Sequence, residues 1–430
     1  MTSIGLNSSP ILGDLDDLIS YLDESPSPWH AVASSVQRLE AAGFERVVET
    51  AQWGNVAAGY VVRGAALIAW RRCTDAASGG APFRIVGAHT DSPGLRVKPR
   101  PDTGNVGWRQ LGVEVYGGAL LNSWLDRDLG IAGRVVLRDG VSINLAVHDA
   151  LARVPQLAIH LDRDVNEKGL VLDKQQHLTP VWGTGAAADG DFARWLSHRM
   201  EVSVADIAWW DLCLFDNTKA AVLGADQSLL ASGRLDNQLS CWAATSALIA
   251  SSASAHTSLI ALFDHEEVGS ESSTGASGPL LSTALERLSL AAGGDREGFH
   301  RALAGSSCIS ADNAHAVHPN YPERHEPGHR PIVNLGPAIK VNANQRYATS
   351  ADTAVMFQNA CERAEVPWQV FVSRNNMPCG STIGPLTATS LGIPTVDVGV
   401  PQLSMHSARE LCGVHDSVYL VRALTAYLTA

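Results

Sequence analysis

Apolar positions along the chain recur with two different periods, and the changes of period divide it. Residues 11–23 and 28–43 read as helices. In the second, Ala31, Val32, Val36, Leu39 and Ala42 make one stripe, Pro28 suits a first turn, and Gly43 suits a stop. Short apolar runs at 60–62 and 66–70 read as strands, followed by Phe83-Arg84-Ile85-Val86-Gly87-Ala88-His89, a strand that ends in polar residues. From about Val97 to Leu230 strand-like runs dominate (113–116, 134–137, 143–147, 208–214), punctuated by Gly and Pro, with one helix at 191–200. This stretch reads as an inserted β-rich domain with an interface role of its own.

From Asp236 onward, strands and helices alternate. Helices are expected at 237–251, 279–291, 295–304, 351–364, 386–391 and 417–428. Strands are expected at 259–263, 306–310, 370–372 and 395–398. Such alternation predicts an α/β fold whose mostly parallel sheet is covered on both faces. The expected division is 1–96 with 231–430 as a discontinuous domain, and 97–230 as the insertion.

Composition narrows the class. The 430 residues suit about two or three domains, and 45% hydrophobic against 18% charged residues allows a large core. A net charge of −12 argues against nucleic acid or an anionic membrane as the main partner. Seven cysteines without a Cys-x-x-Cys pair fit a reducing compartment. Met1 to Asp23 has four Asp and no Lys or Arg, unlike a signal peptide, and no apolar run reaches membrane-spanning length. The expectation is a soluble, cytoplasmic protein.

The chemistry sits where apolar runs end. Ile85 to Ala88 runs into His89-Thr90-Asp91, and Leu259 to Phe263 into Asp264-His265-Glu266-Glu267-Val268-Gly269. Cys308-Ile309-Ser310 runs into Asp312 and His315, Val396 to Val400 precedes Met405-His406-Ser407, and Asp236 opens the 237–251 helix. In open α/β sheets ligands bind beyond the carboxyl ends of strands, so these five places should converge. Buried carboxylates need a partner, and a divalent ion satisfies several. Imidazole with carboxylate is a usual zinc donor set when thiolates are absent. On this reading Asp236 bridges two ions, His89 and His406 cap the pair, and Glu267 and Asp312 each supply one carboxylate. Asp91 accepts the other N–H of His89, and Glu266 is left free as general base on a metal-bridging water. Singly, each has an ordinary reading: an N-cap for Asp236, a turn for Asp312, a loop histidine for His406. Their combination is what points to metal.

The separated blocks Ala88-His89-Thr90-Asp91-Ser92-Pro93, Gly233-Arg234-Leu235-Asp236-Asn237, Asp264-His265-Glu266-Glu267-Val268-Gly269-Ser270, Gly336-Pro337-Ala338-Ile339-Lys340-Val341-Asn342 and Pro401-Gln402-Leu403-Ser404-Met405-His406-Ser407 resemble the aspartyl aminopeptidases, the M18 metallopeptidases. So do Leu157 to Leu161, Ile309 to Tyr321 and Pro378 to Pro385. The resemblance implies a phosphorylase/hydrolase-like mixed sheet with helices on both faces, carrying two Zn2+ per subunit (Mn2+ or Co2+ also suit the donors). It implies an inserted dimerisation domain and a tetrahedral dodecamer built from dimers. Its implied substrates are peptides with a free N-terminal Asp or Glu. It places the ligands on His89, Asp236, Glu267, Asp312 and His406, the base on Glu266, and substrate contacts on His160, His315, Lys340 and Tyr347, with His160 reaching a neighbouring subunit's site. Two further readings stand beside it: a broad or neutral-residue aminopeptidase, as in the related M42 enzymes, and a non-catalytic assembly or cargo scaffold.

Overall fold

The computed structural model describes residues 9–74 and 80–430, so the leader expectation for Met1 to Asp23 falls partly outside the described residues. A nine-stranded sheet forms the centre. Its three adjacent inner strands, Thr257–Phe263, Phe83–His89 and Ser307–Ala311, are mutually parallel, and Thr395–Gly399 continues them. Antiparallel pairings flank this block on both sides, where Ala66–Arg71 meets Thr257–Phe263 and Ala338–Val341 meets Thr395–Gly399. The sheet is therefore mixed.

Alternation along the inner strands explains how both faces are covered. Val86, Ala88, Ile260, Leu262, Ile309 and Ala311 join one core with the helices Ser9–Glu24, Pro28–Ala41, Leu235–Ala250, Ala351–Arg363 and Val414–Thr429. Ile85, Leu259, Ala261, Phe263 and Cys308 join the opposite core, under Leu280–Ala291, Arg296–Ala304 and Ile383–Leu391. Each fully buried Leu, Ile or Phe contributes about 1.5–3 kcal/mol against exposure.

A second, fully antiparallel sheet of six strands lies within 94–216, with its own core around Leu95, Leu129, Ile131, Leu212 and Leu214. The helix Asp191–Met200 packs on it through Phe192 and Leu196. A small third sheet lies outside what the apolar pattern predicts. It joins Ala221–Leu223, Leu229–Ser232, Glu410–Gly413, Pro401–Leu403 and Ala314–His315, and its short strands lack the alternation that would announce them. The strand Ala338–Val341 is unannounced for the same reason.

Register fixes the site. His89 pairs with Phe263, and Ser310 with Gly87. The inner strands thus end at nearly one level and release His89, Glu266 and Asp312 together. The Thr90 N–H donates to the Phe263 carbonyl at 2.7 Å and the Asp312 N–H to Val398 at 2.9 Å, extending the ladder to the site itself. No helix among the described residues is long and apolar enough to cross a membrane.

Candidate metal centre

Beyond those strand ends lies a cavity of about 470 Å³ lined by His89, Asp236, Glu266, Glu267, Asp312, His315, Lys340, Tyr347 and His406, among others. Asp91 lies directly behind His89. Of the residues singled out from the sequence, only His160 stays away; it sits on an exposed turn of the inserted segment.

The two carboxylate oxygens of Asp236 face different histidines. Oδ1 lies 3.3 Å from His89 Nε2, and Oδ2 lies 3.5 Å from His406 Nε2. His89 Nε2 is also 3.4 Å from Asp312 Oδ1, and His406 Nε2 is 3.4 Å from Glu267 Oε2. Charge-assisted hydrogen bonds run about 2.7–2.9 Å, so these contacts are too long to be good ones. They do match another geometry. Two donors each about 2.0–2.1 Å from a tetrahedral ion stand about 3.3 Å apart. Among the described residues, His89 Nε2, Asp236 Oδ1 and Glu267 Oε1 are buried without a hydrogen-bond partner, and buried polar atoms in that condition are costly unless something else satisfies them. Metal-compatible clusters form around His89, Asp236 and Asp312, and around Asp236, Glu267 and His406. The donor chemistry, the spacing and the orphaned atoms all fit divalent ions.

Glu266 makes a third such cluster with His89 and Glu267, its Oε2 3.9 Å from His89 Nε2, a longer approach than the other donors make. Burial, with Asp312 and Asp236 nearby, pushes its carboxyl up to about 7 against the pull of His89. His406 is pushed up to about 10: burial opposes this, and the carboxylates of Asp236 and Glu267 outweigh it. Asp236 is held well below the usual range, the two histidines overcoming its burial. Protons on imidazole and cations on the carboxylates compete for the same charge.

Asp91 does more than orient His89. The His89 Nδ1 lies 3.1 Å from the Asp91 backbone carbonyl and 3.4 Å from Asp91 Oδ1. The Asp91 carboxylate also accepts the backbone N–H of Glu266 and of Glu267, each at 3.1 Å, and the hydroxyl of Tyr116 at 2.7 Å. Burial alone would raise Asp91; the bonds from His89, Tyr116 and the Glu267 amide hold it below its ordinary value. One carboxylate therefore fixes the turn that presents both glutamates. That turn begins at His265, which has φ 64°, and Arg234 and His406 are also left-handed at 61° and 68°. For residues other than glycine this conformation costs of order 1–3 kcal/mol, and such strain concentrates at functional sites.

Two supporting residues carry no signal in the sequence pattern. Glu410, fully buried, accepts the N–H of Asp236 at 2.9 Å and of His406 at 2.7 Å, tying together the two loops that carry them. Tyr116 reaches Asp91 from the six-stranded sheet. Neither stands in a run that marks it. The role of Lys340 is also wider than expected. Its ammonium is buried, donates to Asp312 Oδ2 at 3.0 Å and to the Asn313 carbonyl at 3.2 Å, and lies 5.0 Å from the Tyr347 ring centre. Tyr347 is itself buried and packs edge-on to Phe371, as does His315.

A mixed α/β sheet with imidazoles and carboxylates gathered beyond its inner strands defines a metal-dependent hydrolase. Residues 21–428 match the family described as aminopeptidase I zinc metalloprotease (M18). The chain is 54% identical over 422 residues to a probable M18 family aminopeptidase 2 of Streptomyces coelicolor, covering 97% of this chain and 98% of that one. It superposes on the protein in a cryo-EM structure of an Ape4 and Nbr1 complex with a TM-score of 0.93 and 33% identity, over 100% of this chain and 87% of that chain. A structure of the S. cerevesiae mApe1 dodecamer gives 0.82 and 26%, over 96% and 95%. The chain belongs to the M18 family of zinc aminopeptidases.

Proposed function

We infer that the chain releases N-terminal Asp and Glu from peptides at a dinuclear zinc centre. The observation that carries this is the division of Asp236 between His89 and His406, with the contacts of His89 to Asp236 and Asp312 and of His406 to Asp236 and Glu267 at 3.3–3.5 Å. His89, Asp236 and Asp312 would hold one ion, and Asp236, Glu267 and His406 the other. Bound zinc would polarise the scissile carbonyl and lower the pKa of the attacking water. Glu266 takes the proton from that water and returns it to the leaving amine. The surrounding carboxylates attract the substrate's α-ammonium, which restricts cleavage to a free N-terminus. Asp91 holds His89 in one tautomer and the Glu266-Glu267 turn in place.

The acidic preference is supported by Lys340 and His315 at the cavity wall. Lys340 has two of its three donors engaged by the protein, which leaves one for a side-chain carboxylate. On the same reading 97–230 is a dimerisation insertion, His160 serves a neighbouring subunit's site, and the dimers build a dodecamer like the one named for the mApe1 relative. The free cysteines are compatible with a reducing cytoplasm. The test is metal analysis beside activity: about two zinc ions per chain, chelator-sensitive hydrolysis, and no cleavage of the same peptide after N-acetylation. One ion per chain in fully active protein, or equal cleavage of the blocked peptide, would sink the reading.

A further inference from the structure

A second cavity of about 260 Å³ opens beside the metal centre and shares His315, Tyr347, Gly380 and Met405 with it. Its character is opposite. The metal-centre cavity is lined by carboxylates, and its ammonium, Lys340, is paired with Asp312. The adjoining lobe is lined by His318, Arg324, His325 and Arg374, and among the described residues no carboxylate lines it. Glu323, next in sequence to Arg324, is 3.9 Å from that guanidinium, with both side chains largely exposed. Arg374 is half-buried, and one of its nitrogens donates to the Glu323 backbone carbonyl. That contact fixes the guanidinium without neutralising it, and no ion pair engages Arg374 among the described residues.

We propose that this lobe is a second anionic subsite, which binds a substrate carboxylate downstream of the scissile bond. The proposal rests on the aminopeptidase reading, in which the free amine sits at the acid cluster and the scissile bond at Glu266. The chain of a bound peptide then leaves the metal centre past Tyr347 and Gly380, and its next residues enter the basic lobe. Guanidinium matches carboxylate geometry with paired N–H donors, and a concave basic wall focuses field against the net charge of −12. The carboxylate has two sources: an Asp or Glu side chain at the second or third position, or the free C-terminus of a short peptide.

The test uses zinc-loaded, full-length enzyme and a matched tripeptide set. The first residue is Asp or Leu, the third is Asp or Ala, and the C-terminus is acid or amide. Arg374→Gln is expected to lower kcat/KM about tenfold, through KM, for peptides carrying a downstream carboxylate. Neutral amides should change little, and Arg374→Lys, which keeps the charge and loses the paired donors, should retain only part of the preference. Loss confined to acid C-termini assigns the lobe to short-peptide ends; loss confined to Asp at position three assigns it to side chains. An equal loss on all peptides, or a loss that follows only the first residue, would overturn the proposal. No hydrolysis of any peptide by the unaltered zinc enzyme would instead bring down the aminopeptidase reading, and this inference with it.

Discussion

The Tyr116 hydroxyl donates to Asp91 Oδ2 at 2.7 Å, and the same oxygen accepts the amide of Glu267. A residue of the six-stranded sheet thereby braces the turn that carries Glu266 and Glu267. Arg96 lies over the Tyr116 ring at 3.7 Å and holds it there. Tyr116→Phe keeps the ring and removes the bond. A hydrogen bond to a charged group is worth about 1.5–3 kcal/mol, so kcat should fall roughly tenfold or more with zinc content unchanged. Kinetics with metal analysis on the same preparation decides this; unaltered kcat would remove Tyr116 from the positioning role.

Among the described residues, the one ion-pair contact of Glu266 is the long one to His89, at 3.9 Å. On the proposed reading, that leaves its carboxylate for the proton. Glu266→Gln should retain zinc and thermal stability and lose about 10²–10⁴ in kcat. Loss of zinc in step with activity would make it a ligand rather than the base.

Asp236 is the shared ligand of the proposed centre, and Glu410 holds its backbone. Asp236→Asn should release metal and leave little activity. Glu410→Gln can still accept only through its single amide oxygen, where the carboxylate accepts from both Asp236 and His406. Its zinc affinity should fall about 10–100-fold, the usual range for residues behind a ligand. Competition against a calibrated chelator measures it, and wild-type affinity would refute the bracing role.

Lys340 pairs with Asp312 and is the proposed acid-side-chain contact, and one substitution separates the two. Lys340→Met should weaken hydrolysis of Leu peptides as well as Asp peptides, because Asp312 loses its buried ammonium. Breaking such a pair costs about 3–5 kcal/mol, so the unfolding temperature without zinc should shift too. Unchanged Leu hydrolysis with Asp hydrolysis abolished would confine Lys340 to specificity.

Much of this is legible in the sequence because strand ends announce themselves. Phe83–His89 is readable to the residue, since its apolar run stops abruptly in His-Thr-Asp, a cluster that a strand interior would not tolerate. The adjacency of His89, Glu266 and Asp312 follows from the rule that parallel strands share a carboxyl edge. Register and support from distant parts of the chain are not legible in this way. Glu410 acts only because Ser232 pairs with it and brings Asp236 within 2.9 Å. Tyr116 is an ordinary strand-end aromatic until the six-stranded sheet places it against Asp91. Lys340 lies on a four-residue strand that local pattern does not mark.

Residue release from matched peptides beginning with Asp, Glu, Leu or Lys, with and without chelator and zinc add-back, bears most directly on whether this is an acid-selective zinc aminopeptidase. Fast release of Asp and Glu is expected, abolished by chelator and restored by zinc, with Leu and Lys far slower. Leu release as fast as Asp release would contradict the acidic preference and leave a broad aminopeptidase. No release from any peptide at full zinc occupancy would contradict the catalytic reading itself.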